Sequence, residues 1–136
     1  MSGELDLTVL LRSLSAELVD GLFVFATLAE DEVPPGLMPR MAFREAEGTT
    51  LILLKEEAEA FGIPYEFPCW MITLNVHSSL EAVGFIARIA TELARYGMGV
   101  NPVSGFYHDH LFVPDGREDD AMDILARIAS GDMLTD

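Results

Sequence analysis

Side chains that could bind a small molecule concentrate in two short stretches of this chain. The candidate ligand-binding residues are Asn75, His77, Ser78, Ser79, Asn101, Ser104 and Asp109. Hydroxyls and amides both donate and accept hydrogen bonds, and a carboxylate accepts hydrogen bonds from an ammonium group. These groups suit an amino acid or a similar zwitterion. For Asn101 and Ser104, capping of a loop or a strand edge is the competing interpretation.

A metal site is the main enzyme-like alternative. His108 and His110 would lie on one face of a strand, because side chains alternate along it, and imidazole is a common ligand of divalent metals. Asp109 would then point to the opposite face. A third ligand would have to be His77 or Glu81, and no local feature brings either into range. A small metal-dependent enzyme using His108 and His110 stays open beside simple local hydrogen bonding.

No other catalytic signature stands out in the sequence. It has no glycine-rich phosphate loop, no GxSxG elbow and no CxxC pair. Its single cysteine, Cys69, opens an apolar segment, where a buried core thiol is more common than a nucleophile. We therefore expect a non-catalytic protein without a metal or cofactor.

The segment around the two serines is predicted to be a strand followed by a helix. Residues 69–77 alternate between apolar and polar types, which indicates a strand with one apolar face. Ser78 and Glu81 have the spacing of a capping box, and apolar positions recur at helical intervals until Gly97. Unpaired amides at a helix N-terminus attract a carboxylate. The pattern predicts a site for a carboxylate where a helix begins at Ser78, with capping of its own helix by Ser78 as the alternative.

A hairpin follows this predicted helix. Residues 100–104 and 110–113 are typical of strands around a tight turn at 105–109. Phe106 and Tyr107 occupy the turn, where polar residues are usual. Contact with a second domain or subunit would explain the aromatic pair, and so would a lid over a ligand; we favour the contact.

The run NVHSSLEAVGFIARIATELARYGMGVNPVSGFYHDHLFVP, residues 75–114, resembles an ACT domain. HSSLEAVG and the YHDH-type hairpin resemble, more narrowly, a bacterial family of two-part ACT-like proteins, and FREAEG at 43–48 fits that family. The resemblance implies an α+β, ferredoxin-like βαββαβ fold and a regulatory role through binding of amino acids or other small effectors. In that fold the loop from the first strand into the first helix faces the effector; here it is residues 75–81.

Two imperfect halves are predicted to share one antiparallel sheet with helices on one face. Residues 1–66 form a degenerate ACT-like half and residues 67–136 an ACT domain. The first half is predicted to contain a helix at 5–14, a second helical turn at 15–20, a central strand at 22–28, a loop at 29–39, strands at 41–45 and 50–54, and a helix at 55–61. The second half repeats the last part of this pattern at 100–129. It lacks an obvious fourth strand, which the first half or another subunit would supply.

Composition favours an oligomeric protein of the cytoplasm. Hydrophobic residues make up 50% of the 136 residues and the mean hydropathy is +0.28, so we expect a subunit interface in a dimer or tetramer. The net charge of −15 disfavours nucleic acid and anionic membranes as partners. A lone cysteine suits a reducing compartment, and we expect neither a membrane span nor a signal peptide at the start MSGELDLT.

Overall fold

The computed structural model describes residues 3–76 and 78–132. In chain order the elements are α1 (Leu7–Arg12), β1 (Ala16–Leu28), a 3-10 turn (Glu30–Glu32), β2 (Met41–Arg44), β3 (Thr49–Leu54), α2 (Lys55–Ala60), β4 (Glu66–Leu74), α3 (Phe85–Ala94), β5 (Pro102–Ser104), β6 (Asp109–Pro114) and α4 (Glu118–Ser130). The strands form one six-stranded sheet in the order β2-β3-β1-β4-β6-β5. The predicted ferredoxin-like α+β class is confirmed.

The described residues divide into two compact units. The first unit contains residues up to Asp20 and residues from Trp70 onward, and the second unit is Gly21–Cys69. The long strands β1 and β4 each contribute residues to both units. The chain therefore passes from the first unit into the second unit and back again.

The core of the second unit forms between its sheet and α2. Strands β1 and β3 pair antiparallel with Val24 opposite Leu53, and β3 pairs antiparallel with β2. Alternate residues of β1 and β3 bury their side chains together with Ala58 of α2. The almost entirely apolar stretch 22–28 lies in an inner strand, as its composition predicted.

The core of the first unit joins helices α1, α3 and α4 to its strands. Its largest fully buried side chains include Leu10, Ile72, Leu74, Ile89, Leu93, Leu111 and Leu125. Three acidic residues open α4, where the helix dipole favours negative charge. Helix α4 matches the prediction for the end of the second half.

The predicted helical turn at 15–20 is wrong, because residues 16–20 belong to β1. The Asn75 amide donates to the Ser15 carbonyl over 2.6 Å, and the Asn75 side-chain amide donates to Glu17 over 3.4 Å. These contacts across the sheet replace the local bonds of a helix, which are weak in a segment this short. Since β1 neighbours β4, the first half of the sequence supplies the missing fourth strand of the unit that contains β4, β6 and β5.

Strand β4 differs from its prediction in both its ends and its burial. It runs from Glu66 to Leu74 rather than over 69–77. Cys69 and Met71 are buried on one side of the alternation, and Ile72 and Leu74 on the other. Both faces of the strand are covered, so the expected single apolar face is wrong.

The helix predicted to begin at Ser78 begins instead at Phe85. Ser78 forms an isolated parallel bridge with Glu4, and its hydroxyl donates to Asp109. Both interactions hold Ser78 away from a capping geometry. Residues 78–84, which we call the serine loop, connect the end of β4 to α3.

Candidate functional site

The serine loop, the start of α3 and the turn between β5 and β6 enclose a cavity of about 240 Å³ in the first unit. We call it the serine cavity. Its described lining residues are Ser78, Ser79, Leu80, Ala82, Gly84, Phe85, Ile86, Ala87, Ser104, Gly105 and Asp109. Four of the predicted ligand-binding residues, Ser78, Ser79, Ser104 and Asp109, thus share one cavity despite their separation in sequence.

Asp109 is a buried carboxylate on the wall of the serine cavity, and 7% of its surface is exposed. The Ser78 hydroxyl donates to its Oδ2 over 3.2 Å. No other hydrogen bond to this carboxylate comes from residues 3–76 or 78–132. A carboxylate can accept about four hydrogen bonds, so Asp109 keeps capacity for a donor inside the cavity.

The first turn of α3 contributes backbone donors to the same wall. Gly84 precedes the helix, and no side chain caps it. The amides of Phe85, Ile86 and Ala87 have no acceptor within the helix, since the first intrahelical bond runs from the Arg88 amide to the Gly84 carbonyl. The described residues offer them no other acceptor. An anionic group in the cavity would find three aligned donors and the positive end of the helix dipole.

The serine loop is held by the chain segment before α1. The Ser79 amide donates to the Glu4 carbonyl over 2.9 Å. The Ser79 hydroxyl accepts from the Glu81 amide over 3.1 Å, which closes a local turn. Gly3, at a φ of +96°, packs so closely that a Cβ there would lie 2.5 Å from the Ser79 nitrogen. The position of Ser79 therefore depends on a segment about 75 residues away in sequence.

Two predicted ligand-binding residues do not line the serine cavity. Asn75 is exposed and contacts Ser15 and Glu17. Asn101 is exposed at the far end of β5 with a φ of +44°, a backbone conformation that asparagine tolerates better than most residues. His77 lies outside the described residues.

Among the described residues, the histidine pair has no further side chains that would complete a metal centre with it. The rings of His108 and His110 are 6.4 Å apart between centroids, and His110 Nδ1 shares a hydrogen bond of 3.0 Å with the Thr73 hydroxyl. Within 3–76 and 78–132, no group of three or more potential ligands could hold a metal ion.

Exposed apolar side chains form a rim on the serine loop and the β5–β6 turn, the two segments that supply much of the lining of the serine cavity. Phe106 and Tyr107, at the tip of the β5–β6 turn, are 62% and 63% exposed and stack edge to face with ring centroids 5.0 Å apart. Leu80 and Val83 of the serine loop are exposed as well. Since such side chains usually contact something in the functional state, this rim is a candidate interface.

Two other cavities are less suited to a polar ligand. One of about 250 Å³ in the second unit is lined by Lys55, Glu56 and Glu59, and Lys55 and Glu59 form an exposed ion pair at 2.9 Å. One of about 320 Å³ in the first unit lies beside α4 and is lined mainly by apolar side chains. Neither has a buried carboxylate among its described lining residues.

Several lining groups were missed by the sequence interpretation. The amides of 85–87 were assigned to the interior of a helix starting at Ser78, and Gly84 was not considered as a cap. A helix start at 84–85 was nevertheless compatible with the sequence, since glycine is accepted at the N-cap and Phe85 and Ile89 are four positions apart. Tertiary partners decided between the two starts.

A repeated ferredoxin-like α+β arrangement on one chain defines the structural class of this protein. Models of the ACT domain match residues 2–70 and residues 66–127. The chain belongs to the ACT domain family, as the resemblance predicted. No curated protein matches it. No helix in the described parts of the chain is long and apolar enough to cross a membrane.

Solved structures with the same fold come from several bacteria. A Vibrio cholerae protein of unknown function is 41% identical, with a TM-score of 0.80 over 89% of this chain and 94% of that chain. A protein from Agrobacterium tumefaciens is 19% identical, with a TM-score of 0.70 over 85% and 89% of the two chains. The regulatory subunit of aspartate kinase from Thermus thermophilus is 10% identical, with a TM-score of 0.58 over 84% and 97%. The last two likenesses show the fold alone.

Proposed function

We propose that this protein is a non-catalytic regulatory protein that binds a small effector, an amino acid, in the serine cavity. The observation that carries the proposal is the meeting of a buried carboxylate, three helix-start amides and three serines in one cavity. An α-carboxylate suits the amides of 85–87, and an α-ammonium group suits Asp109. Membership of the ACT domain family supports a regulatory role, and the aspartate kinase regulatory subunit from Thermus thermophilus has the same fold.

A thermal-shift screen of the individual amino acids tests this proposal. A ligand that binds only the folded state adds RT ln(1 + [L]/Kd) to stability, or about 2.7 kcal/mol at a concentration 100 times Kd. We expect at least one amino acid to raise Tm and the shift to vanish in Ser79→Val. Thr27→Val, which removes an exposed hydroxyl of the second unit, is the control and should keep the shift. If no amino acid raises Tm, the effector proposal is wrong.

An oligomerisation role is the second candidate, and the exposed rim favours it. We propose that Phe106 and Tyr107 contact a second copy of this chain, because two stacked aromatic rings exposed by more than half are costly to leave in water. The double variant Phe106→Ser/Tyr107→Ser should lower the molar mass measured by light scattering. If the protein is a structural module without a ligand, the double variant should have the lower molar mass, and no amino acid should raise the Tm of the unmodified chain. An unchanged mass would show that these residues are not the contact.

The proposed compartment is the cytoplasm. The single cysteine, Cys69, is buried and hydrogen-bonded to the Phe23 carbonyl over 3.4 Å. The chain therefore has no disulfide that would depend on an oxidising compartment. Localisation of a tagged full-length chain in a bacterial cell tests this assignment, and recovery outside the cytoplasm would contradict it.

A further inference from the structure

Among the described residues that line the serine cavity, one side chain is ionisable, and it is acidic. Of its eleven described lining residues, Asp109 alone carries a titratable group. The arginines and the lysine of the described chain lie elsewhere. Each charged part of a ligand must therefore be matched by Asp109, by backbone amides or by hydroxyls.

These groups match one positive charge and one negative charge. Asp109 is more than nine-tenths buried and, from the described residues, its carboxylate receives one hydrogen bond, from Ser78, so a protonated amine would complete its contacts. The amides of 85–87 have no acceptor among the described residues, and with about half a positive charge from the helix dipole they would hold one carboxylate. A second anionic group would meet no cation among the described lining residues and would be repelled by Asp109 and by the chain's net charge of −15.

We infer that the serine cavity selects small neutral amino acids and rejects those that carry an additional acidic group or a phosphate. The inference rests on the proposed effector function. Asp109 is the specificity-determining residue: it attracts the amine and excludes a second negative charge. The size of the cavity agrees with a small ligand, since about 240 Å³ lies below the range of about 300–1,000 Å³ that is usual for drug-sized ligands.

The experiment is calorimetric titration of the full chain with pairs of compounds that match in size and differ in charge. The pairs are glutamine with glutamate, asparagine with aspartate, and serine with O-phosphoserine. In every pair in which a member binds, we expect the acidic compound to bind at least roughly tenfold more weakly, since like charges a few ångströms apart repel by several kcal/mol at an effective dielectric constant of about 20.

Variants of two residues assign the effect to Asp109. Asp109→Asn keeps the size of the side chain. It should weaken binding of the neutral compound and reduce the difference in affinity between the two compounds of each pair, which we call the gap. Ser78→Ala removes the neighbouring hydroxyl but keeps the carboxylate, so the gap should persist. Asp119→Asn, an exposed acid on α4, is the charge-matched control and should behave as the unmodified chain does. Thermal melts establish that each variant folds.

The outcomes separate this inference from the proposed function. If an acidic compound binds as well as its neutral partner to the unmodified chain, the inference is wrong while the effector function stands. The same holds if the gap is unchanged in folded Asp109→Asn. If no member of any pair binds, and the screen of all amino acids also shows no shift, both the inference and the proposed function are overturned.

Discussion

Glu92 is an acidic residue in the buried surface of α3, with 1% of its surface exposed. Both of its carboxylate oxygens accept hydrogen bonds of 3.0 Å from Arg95 Nη1, and Arg88 lies 3.7 Å away. A buried carboxylate is costly unless it is paired. Glu92 therefore depends on arginines one turn before and one turn after it on the same helix.

The variant Glu92→Ala should lower the free energy of unfolding by about 1–3 kcal/mol, because it removes charge-assisted hydrogen bonds from a buried site. Urea denaturation at neutral pH measures the change. Glu47→Ala, at an exposed turn position, should change stability by less than about 0.5 kcal/mol. Equal effects of the two substitutions would mean that the arginine pairs contribute nothing.

Cys69 provides a pH-dependent prediction. Burial raises the pKa of its thiol from the usual 9.0 to about 12. Because the pKa is higher in the folded state, the thiol of the unfolded chain ionises first as pH rises above about 9, and stability falls between about pH 9 and pH 12. At pH 10 this loss should be about 1 kcal/mol, measured by urea denaturation.

The variant Cys69→Ala isolates the contribution of the thiol. Its stability differs from that of the unmodified chain by a constant amount below pH 8, and we expect the difference to shift in favour of the variant as pH rises to 10. Other groups titrate in both proteins and cancel. A difference that stays constant up to pH 10 would contradict the prediction.

The residue types in the sequence identified some of the residues that line the candidate site. The position of each residue along the backbone decided which of the predicted residues reach the cavity. Ser78, Ser79, Ser104 and Asp109 reach the serine cavity, whereas Asn75 is taken up by contacts with β1. Their chemistry alone did not distinguish them. The difference lies in contacts between residues far apart in sequence, which no local pattern encodes.

Local patterns were most successful for elements that bury an apolar face. The helices α2 and α4 and the strands β2 and β3 lie close to their predicted positions. The capping box at Ser78 failed because its cap would contribute only about 1 kcal/mol. The bridge to Glu4 and the hydrogen bond to Asp109 together outweigh it.

The contact between Gly3 and the serine loop allows a prediction at the scale of elements. In Gly3→Ala the new methyl group would lie 2.5 Å from the Ser79 nitrogen and 2.7 Å from the Ser78 carbonyl carbon. The segment before α1 should then separate from the loop. In the unmodified chain the Ser79 amide donates to the Glu4 carbonyl. We expect this amide to exchange its hydrogen with solvent at least about tenfold faster in Gly3→Ala than in the unmodified chain, as measured by NMR.

Gly36→Ala is the matched control for this experiment. Gly36 also has a positive φ, of +86°, but no atom lies within 4 Å of an added Cβ. It therefore carries the backbone strain of alanine at positive φ without the clash. If Gly3→Ala leaves the exchange of Ser79 as slow as Gly36→Ala does, the segment before α1 does not hold the serine loop.

At the scale of the molecule, the sequence indicated a duplication. It did not indicate which segments of the chain form each compact unit. The two ACT domain matches divide the chain near residues 66–70, and the boundary between 1–66 and 67–136 stays a prediction. The compact units follow another division, since strand β1 provides residues to each. Strand exchange of this kind depends on pairing between distant segments, so hydrophobic periodicity within one segment cannot reveal it.

The chain has 23 acidic and 8 basic residues. Attraction within ion pairs and repulsion among the excess acidic residues therefore have opposite effects on stability. The six ion pairs of the described residues mostly involve exposed side chains, and exposed pairs contribute about 0–1 kcal/mol each. Repulsion among the unpaired acids acts across the whole surface. Salt weakens both effects, and the sign of its influence on stability shows which one is larger.

We expect repulsion to be the larger effect, so that the urea midpoint at pH 7 rises between about 10 mM and 1 M NaCl as the Debye length falls from about 30 Å to about 3 Å. The control is the same increase in salt near pH 4.3, where the net charge approaches zero and the rise should largely disappear. A midpoint that falls with salt at pH 7 would show that the ion pairs stabilise the fold more than the excess acids destabilise it. A rise of equal size at both pH values would instead indicate a general effect of salt on apolar burial.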